Sequence, residues 1–315
     1  MSTRVAVAIG CLVVVRSGLE GAWGAEWGPA NGGRPNVILA IADDLGWGEV
    51  AFNGTNDVVK TPCLDEMAES GIRFTRFYAA TPWCSPTRAS VLTGRHPHRY
   101  GLVGVSMNLR QEELTVAEAL REAGYTTGHF GKWHLARPFS KNINPSLHGF
   151  DRWLSTGNNS RRIDPNEYWR DGERAGVIKG SDNQILMDEA LGFIREQVKQ
   201  KRPFLALIWF HTAHWPIGAT EEFLALYKDH PELDEGKQMR YADISSMDAE
   251  MGRLRRELRE LKIADNTLLC FCTDNGMRTR DLREGKLSLY EGGIRVPGLI
   301  ERPGRVAPWY GRRIT

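Results

Sequence analysis

The sequence predicts an α/β fold built on a large, mostly parallel sheet, and three observations predict it. Continuous apolar runs at 36–42, 204–210 and 267–272, with a shorter strand at 126–130, lack the polar alternation of half-exposed strands; strands buried on both faces read this way. Helical stretches at 114–123 and 182–199 lie between them, giving the alternation of a doubly wound sheet. Each strand also gives way to a short polar cluster, and open α/β sheets collect ligands at the carboxyl ends of their strands.

Composition sets the outer bounds. The chain has 315 residues, 41% hydrophobic and 25% charged, enough for one large core. Its 41 basic and 39 acidic residues nearly balance, which argues against nucleic-acid or membrane binding as the main activity and leaves room for a local anion pocket. Five cysteines are too few, and odd in number, for a disulfide framework. Arg4 precedes an apolar stretch at 5–15 and a small-residue region at 22–25, the pattern of a secretory signal peptide. The expected organisation is therefore a signal peptide at 1–25, a Gly/Pro/Asn linker at 26–35 and a catalytic domain at 36–315. No later run reaches the ~20 apolar residues of a membrane span. The expected product is exported, periplasmic or extracellular, with no membrane contact after signal removal.

Taken in order, the first strand (Asn36 to Ala42) stops at Asp43 and Asp44, followed by Leu45 and Gly46. Adjacent carboxylates repel unless a cation sits between them, so a hard divalent ion and a solvated acidic turn are the two readings. Next comes Cys84, Ser85, Pro86, Thr87, Arg88, a loop feeding a helix start. A thiol there meets the positive end of the helix dipole beside a guanidinium; the plainer reading is a small buried cysteine in a turn. The strand at 126–130 leads to Gly131, Lys132, Trp133 and His134, and the one at 204–210 to His211, Thr212, Ala213, His214, Trp215 and Pro216. The last leads to Thr273, Asp274, Asn275 and Gly276. Carboxylates and an amide suit a hard metal, while lysine, histidine and arginine suit an anion.

These residues together resemble the type I sulfatases of the alkaline phosphatase superfamily. Cys84 to Arg88 matches the C-x-P-x-R signature, and Leu92 to Arg95 its extension. Gly131 to Leu135 (GKWHL) matches the second signature, with Ala136 where glycine is more usual, and Tyr290 to Pro297 (YEGGIRVP) a further block. The resemblance implies an alkaline phosphatase-like α/β/α sandwich, and a small C-terminal α+β subdomain that this chain is expected to lack. It implies hydrolysis of a carbohydrate or aryl sulfate monoester by the hydrate of formylglycine, derived from Cys84. One Ca²⁺, with Mg²⁺ the lesser fit, is implied at Asp43, Asp44, Asp274, Asn275 and position 84. Arg88 would anchor formylglycine, Lys132, His214 and Lys286 would bind sulfate oxygens, and His134 would orient or deprotonate the diol. Implied partners are a sulfated small molecule or glycan and, during maturation, a formylglycine-generating enzyme; nucleic acid is not among them. Ala213 stands where proline is usual, and His211 competes with His214, which keeps the family's H-x-P order. Phosphonate or phosphodiester hydrolysis in the same pocket, and an inactive sulfate-binding remnant, are the alternatives.

Other features take plainer readings. His96 and His98 lack further zinc ligands at convincing spacing. Cys63, Cys270 and Cys272 read as buried thiols, and 244–261 as a core-facing helix with a charged outer face. Asn53 and Asn158 fit the glycosylation pattern. The segment at 142–180, rich in polar and aromatic residues, is the expected specificity region; Trp153, Tyr168 and Trp169 either stack on a substrate ring or cover the core edge.

Overall fold

A computed structural model describes residues 33–101, 104, 108–279 and 282–308. The expected signal segment and most of the linker, 26–32, fall outside the described residues. In chain order the elements are β1 (Asn36–Ala42), α1 (Pro62–Ser70), β2 (Ile72–Arg73), α2 (Cys84–Thr93), α3 (Pro97–Tyr100), α4 (Val116–Glu122), β3 (Thr126–Lys132), β4 (Arg152–Thr156), β5 (Trp169–Arg170) and β6 (Glu173–Arg174). They continue with α5 (Asp182–Gln200), β7 (Phe204–Trp209), α6 (Glu221–Leu224), α7 (Glu235–Glu260), β8 (Thr267–Thr273), α8 (Glu291–Ile294) and β9 (Gly298–Glu301).

The strands form one nine-stranded sheet in the order β2-β9-β8-β1-β7-β3-β4-β5-β6. The five central strands, β8-β1-β7-β3-β4, are parallel, and antiparallel strands close both edges. The apolar runs explain the layering, because alternate side chains leave opposite faces. On β7, Phe204, Ala206, Ile208 and Phe210 enter a core with residues of α1, α5 and α7. Leu205, Leu207 and Trp209 point the other way, into a second core with Ala89 and Leu92 of α2 and Ala117 of α4. This is the expected α/β/α sandwich.

Element ends follow local chemistry. α4 starts later than its apolar pattern, at Val116, because Thr115 and Glu118 form a reciprocal capping box, with Thr115 Oγ1 accepting from Glu118 N at 3.1 Å and Glu118 Oε2 accepting from Thr115 N at 2.8 Å. At α1 the N-terminal amides of Cys63 and Leu64 donate to Asp248 of α7, at 3.0 and 2.8 Å. Burial pushes the Asp248 carboxyl up to about 6 against the pull of those amides. A carboxyl raised above its unfolded value binds its proton more tightly when folded. Its contribution is therefore complete below pH about 4 and is lost as pH rises through 6, on the order of 3 kcal/mol across that window. As pH rises from 4 to 6.5 the parent chain should therefore lose stability relative to Asp248→Asn, which has no carboxyl to titrate, and a stability difference that does not change with pH would contradict this assignment.

Several expectations change. The segment at 142–180 is mostly loop but also carries three short strands: β4 extends the parallel sheet, and β5 and β6 form an antiparallel edge. Trp153 and Tyr168 are buried, and Trp169 lies half-buried under Arg174, so these rings are structural. Asn53 is also buried, donating to the Trp47 carbonyl, which removes it from reach of glycosylation; Asn158 is exposed. Cys63, Cys270 and Cys272 are half-buried rather than buried, since on β8 it is Leu269 and Phe271 that enter the core. No helix among the described residues is long and apolar enough to cross a membrane.

Candidate active site

The polar clusters after β1, β3, β7 and β8 converge at one end of the sheet, where the N-terminus of α2 meets them. Asp43 follows β1 directly and is fully buried. Lys132 closes β3, also fully buried, and its Nζ donates to Asp43 Oδ2 at 2.5 Å. Gly131 lets this happen: its φ is +111°, and a Cβ there would lie 1.9 Å from the Trp209 carbonyl oxygen.

Cys84 is the first residue of α2, and Arg88 follows one turn later with its guanidinium fully buried. The guanidinium donates from Nε to Asp274 Oδ2 at 2.9 Å and from Nη1 to the Lys132 carbonyl at 2.9 Å; Nη2 lies 3.7 Å from Asp43 Oδ1. It also stacks over Trp209, 5.1 Å from the ring centre. Cys84 Sγ is 3.2 Å from His134 Nδ1.

Asp44 organises the outer half of the pocket. Its carboxylate accepts from Asn275 Nδ2 at 2.7 Å and pairs with Lys286 Nζ at 2.7 Å, while His214 Nε2 lies 3.5 Å away. The loop carrying Lys286 closes over the Asp274-Asn275-Gly276 turn because Gly276 and Gly293 permit contact: Gly276 N donates to the Gly293 carbonyl at 2.9 Å, and a Cβ on Gly276 would lie 2.2 Å from the Gly292 oxygen. All ten expected site residues are thus in one cluster. His211, the competing histidine, is instead fully buried, held by Asp182 at 3.0 Å and Thr156 at 2.7 Å.

The electrostatics divide the cluster. Burial pushes Asp43 up, but Lys132 and Arg88 outweigh it and hold the carboxyl well below its ordinary value. Burial, reinforced by the Asp43 charge, raises Asp274 to about 7. Burial, with Lys132 beside it, drives His134 down to about 2, so its imidazole is neutral. Burial also raises the Cys84 thiol, with Lys132 opposing only in part. A protonated thiol that is 2% exposed is a poor nucleophile.

A hard cation fits this donor set. Asp43 Oδ1 and Asn275 Oδ1 are buried acceptors without a hydrogen-bond partner, and unpaired buried oxygens are what an oxygen-binding ion satisfies. Ligand atoms of Asp43, Cys84 and Asp274 also lie within 4.8 Å of one another, the one such group found among the described residues; His96 caps α3 by accepting from the His98 amide and stacks on the His98 ring.

Two arginines that sequence reasoning missed hold the loops. Arg162 donates from Nη2 to the carbonyls of His211 and His214 and from Nε to Asp243 at 3.2 Å. Arg240 joins the Ala213 carbonyl at 2.6 Å, the Asp44 carbonyl at 2.8 Å and the Glu49 carboxylate. Arg240→Ala should leave Glu49 buried without its partner, lowering stability by about 3 kcal/mol and reducing kcat more than it changes KM. Calorimetry and steady-state kinetics check both parts.

The sandwich and the cluster at its strand ends together define a member of the alkaline phosphatase superfamily. Within it the chain belongs to the sulfatase family, whose profile, described as Sulfatase, matches residues 35–314. The chain is similar to N-acetylgalactosamine-6-sulfatase of Canis lupus familiaris, 34% identical over 314 residues that cover 86% of this chain and 58% of that protein. It is also similar to arylsulfatase A of Homo sapiens, 32% identical over 313 residues, 87% of this chain and 60% of that one. Among solved structures, Ps i-CgsB in complex with k-i-k-neocarrahexaose superposes with a TM-score of 0.82 at 28% identity, covering 88% of this chain and 67% of that one. The chain spans about three fifths of the length of the curated relatives it matches.

Proposed function

We propose that this chain carries the catalytic centre of an exported sulfatase that hydrolyses a sulfate monoester of a carbohydrate or aryl alcohol. The observation that carries the reading is the meeting of Cys84, three carboxylates and the cations Arg88, Lys132 and Lys286 in one pocket. Relatives named N-acetylgalactosamine-6-sulfatase and arylsulfatase A, and a neighbour in complex with k-i-k-neocarrahexaose, support the substrate class.

Asp43, Asp44, Asp274 and Asn275, with position 84, would hold one Ca²⁺, which supplies Lewis-acid polarisation of a sulfate oxygen. Formylglycine made from Cys84 by a formylglycine-generating enzyme supplies, as its hydrate, an oxygen nucleophile that the protonated thiol does not. The remaining work falls to this chain's own side chains. Neutral His134, whose Nδ1 faces the side-chain atom of residue 84 at 3.2 Å, orients a hydroxyl there by accepting its hydrogen bond. Arg88 fixes Asp274 and the end of β3. Lys132, Lys286 and His214 bind sulfate oxygens and stabilise charge as it develops. His214 Nδ1 lies 2.6 Å from the Trp215 carbonyl and donates to it, which turns Nε2 into the pocket; donation from Nε2 to a sulfate oxygen then requires the protonated ring, which burial opposes and the charges of Asp43 and Asp44 favour.

The test is release of inorganic sulfate from 4-nitrophenyl sulfate by protein co-expressed with a formylglycine-generating enzyme and supplied with Ca²⁺, set against phosphate release from 4-nitrophenyl phosphate. Preference for the sulfate ester is expected. Preference for the phosphate ester would move the chain to the phosphohydrolase reading, and binding without turnover would make it a sulfate-binding protein.

A further inference from the structure

Trp215 is 75% exposed, the largest ring left in solvent among the exposed apolar residues described, and it directly follows His214. Exposed indoles are costly unless they meet something, and this one borders the pocket. Its backbone is held firmly: Arg162 takes the His214 carbonyl at 2.6 Å, Arg240 takes that of Ala213, and His214 donates to Trp215's own carbonyl. A second apolar residue has the matching position on the loop carrying Lys286. Leu287 directly follows Lys286, is 59% exposed, and has a φ of +75° that branched side chains rarely adopt. Its amide donates to the Pro82 carbonyl at 3.1 Å, two residues before Cys84. His214 and Lys286 both reach Asp44, so the residues that follow them are each one position from a side chain of this pocket.

We infer that Trp215, with Leu287 next to Lys286, selects sulfate esters whose alcohol is a six-membered ring with an apolar face, the ring lying on the indole while the sulfate sits among the cations. This rests on the sulfatase reading and names what lies beyond the sulfate. A rigidly held tryptophan offers a large contact area with little side-chain entropy to lose, which suits a ring better than a flexible chain. Aryl and pyranose alcohols share the required flat or axial C–H face.

The experiment is equilibrium binding by calorimetry to the Cys84→Ala chain with Ca²⁺, which holds ligand without turnover. Phenyl sulfate, cyclohexyl sulfate, methyl sulfate and inorganic sulfate are the probes. The two ring esters should bind more tightly than methyl sulfate, and Trp215→Ala should remove on the order of tenfold of that preference while leaving methyl sulfate and inorganic sulfate unchanged. Trp215→Phe should retain most of it. Equal weakening of all four probes would mean that Trp215 acts only through His214, and an unchanged ring preference would mean that the indole touches no ligand; either result overturns the inference alone. Failure of every probe to bind overturns the sulfatase reading with it.

Discussion

Replacing Cys84 by alanine should reduce sulfate ester turnover by at least about 10⁴-fold, the scale on which loss of a covalent nucleophile is felt when the rest of a site stays intact. The fold should survive. Cys84 is small and buried, and no strand or helix partner depends on its Sγ, whose one hydrogen-bond partner is His134. Affinity for inorganic sulfate should persist, because Lys132, Lys286 and His214 do not need the thiol to hold their places. The pair of results separates chemistry from binding. Loss of both turnover and sulfate affinity would mean that residue 84 organises the pocket and does not react in it.

The second large effect is expected at Arg88. Its guanidinium faces Asp274 and Asp43 with no access to water, so Arg88→Ala leaves two buried carboxylates short of a cation. Removing one partner of such a pair typically costs 3–5 kcal/mol, roughly, because the charge left behind is neither solvated nor neutralised. The carboxyl of Asp274, already raised to about 7 by burial, would rise further and remain protonated at neutral pH. Denaturant melts should show the loss of stability, and the Ca²⁺-induced rise in melting temperature expected of the parent should shrink or vanish. Arg88→Lys restores the charge without the fork that reaches both Asp274 and the Lys132 carbonyl, so it should recover part of the stability and little activity. Wild-type stability in Arg88→Ala would contradict the described ion-pair geometry.

Much of this architecture was legible in the sequence, for a physical reason. Strands buried on both faces must be apolar throughout, so β1, β7 and β8 stand out as runs whose ends are marked by the first polar residue. Asp43 and Asp274 come just after β1 and β8, and Lys132 closes β3, because the pocket is where the sheet stops. The preference for His214 came from order along the chain, and the structure buries His211 against Asp182 while His214 reaches Asp44. Arg162 and Arg240 were not readable. They act on main-chain carbonyls, and a carbonyl looks the same whichever residue carries it, so no partner residue signals the contact. Glu49 was hidden for a related reason, since it answers an arginine 191 positions away. The aromatic residues of 142–180 left two readings open because ring size favours both a substrate platform and a core edge; Trp153 and Tyr168 prove to be buried, while Trp215 is the most exposed of the exposed rings described.

The account depends most directly on whether position 84 reacts as an aldehyde hydrate. Preparations with graded maturation can be compared by mass spectrometry of the peptide spanning Cys84, where sulfur and two hydrogens are replaced by one oxygen, and by turnover of 4-nitrophenyl sulfate in the same samples. Turnover that rises in proportion to the converted fraction, extrapolates to zero at none and is absent in Cys84→Ala is the predicted result. Equal turnover by unconverted thiol protein would contradict it.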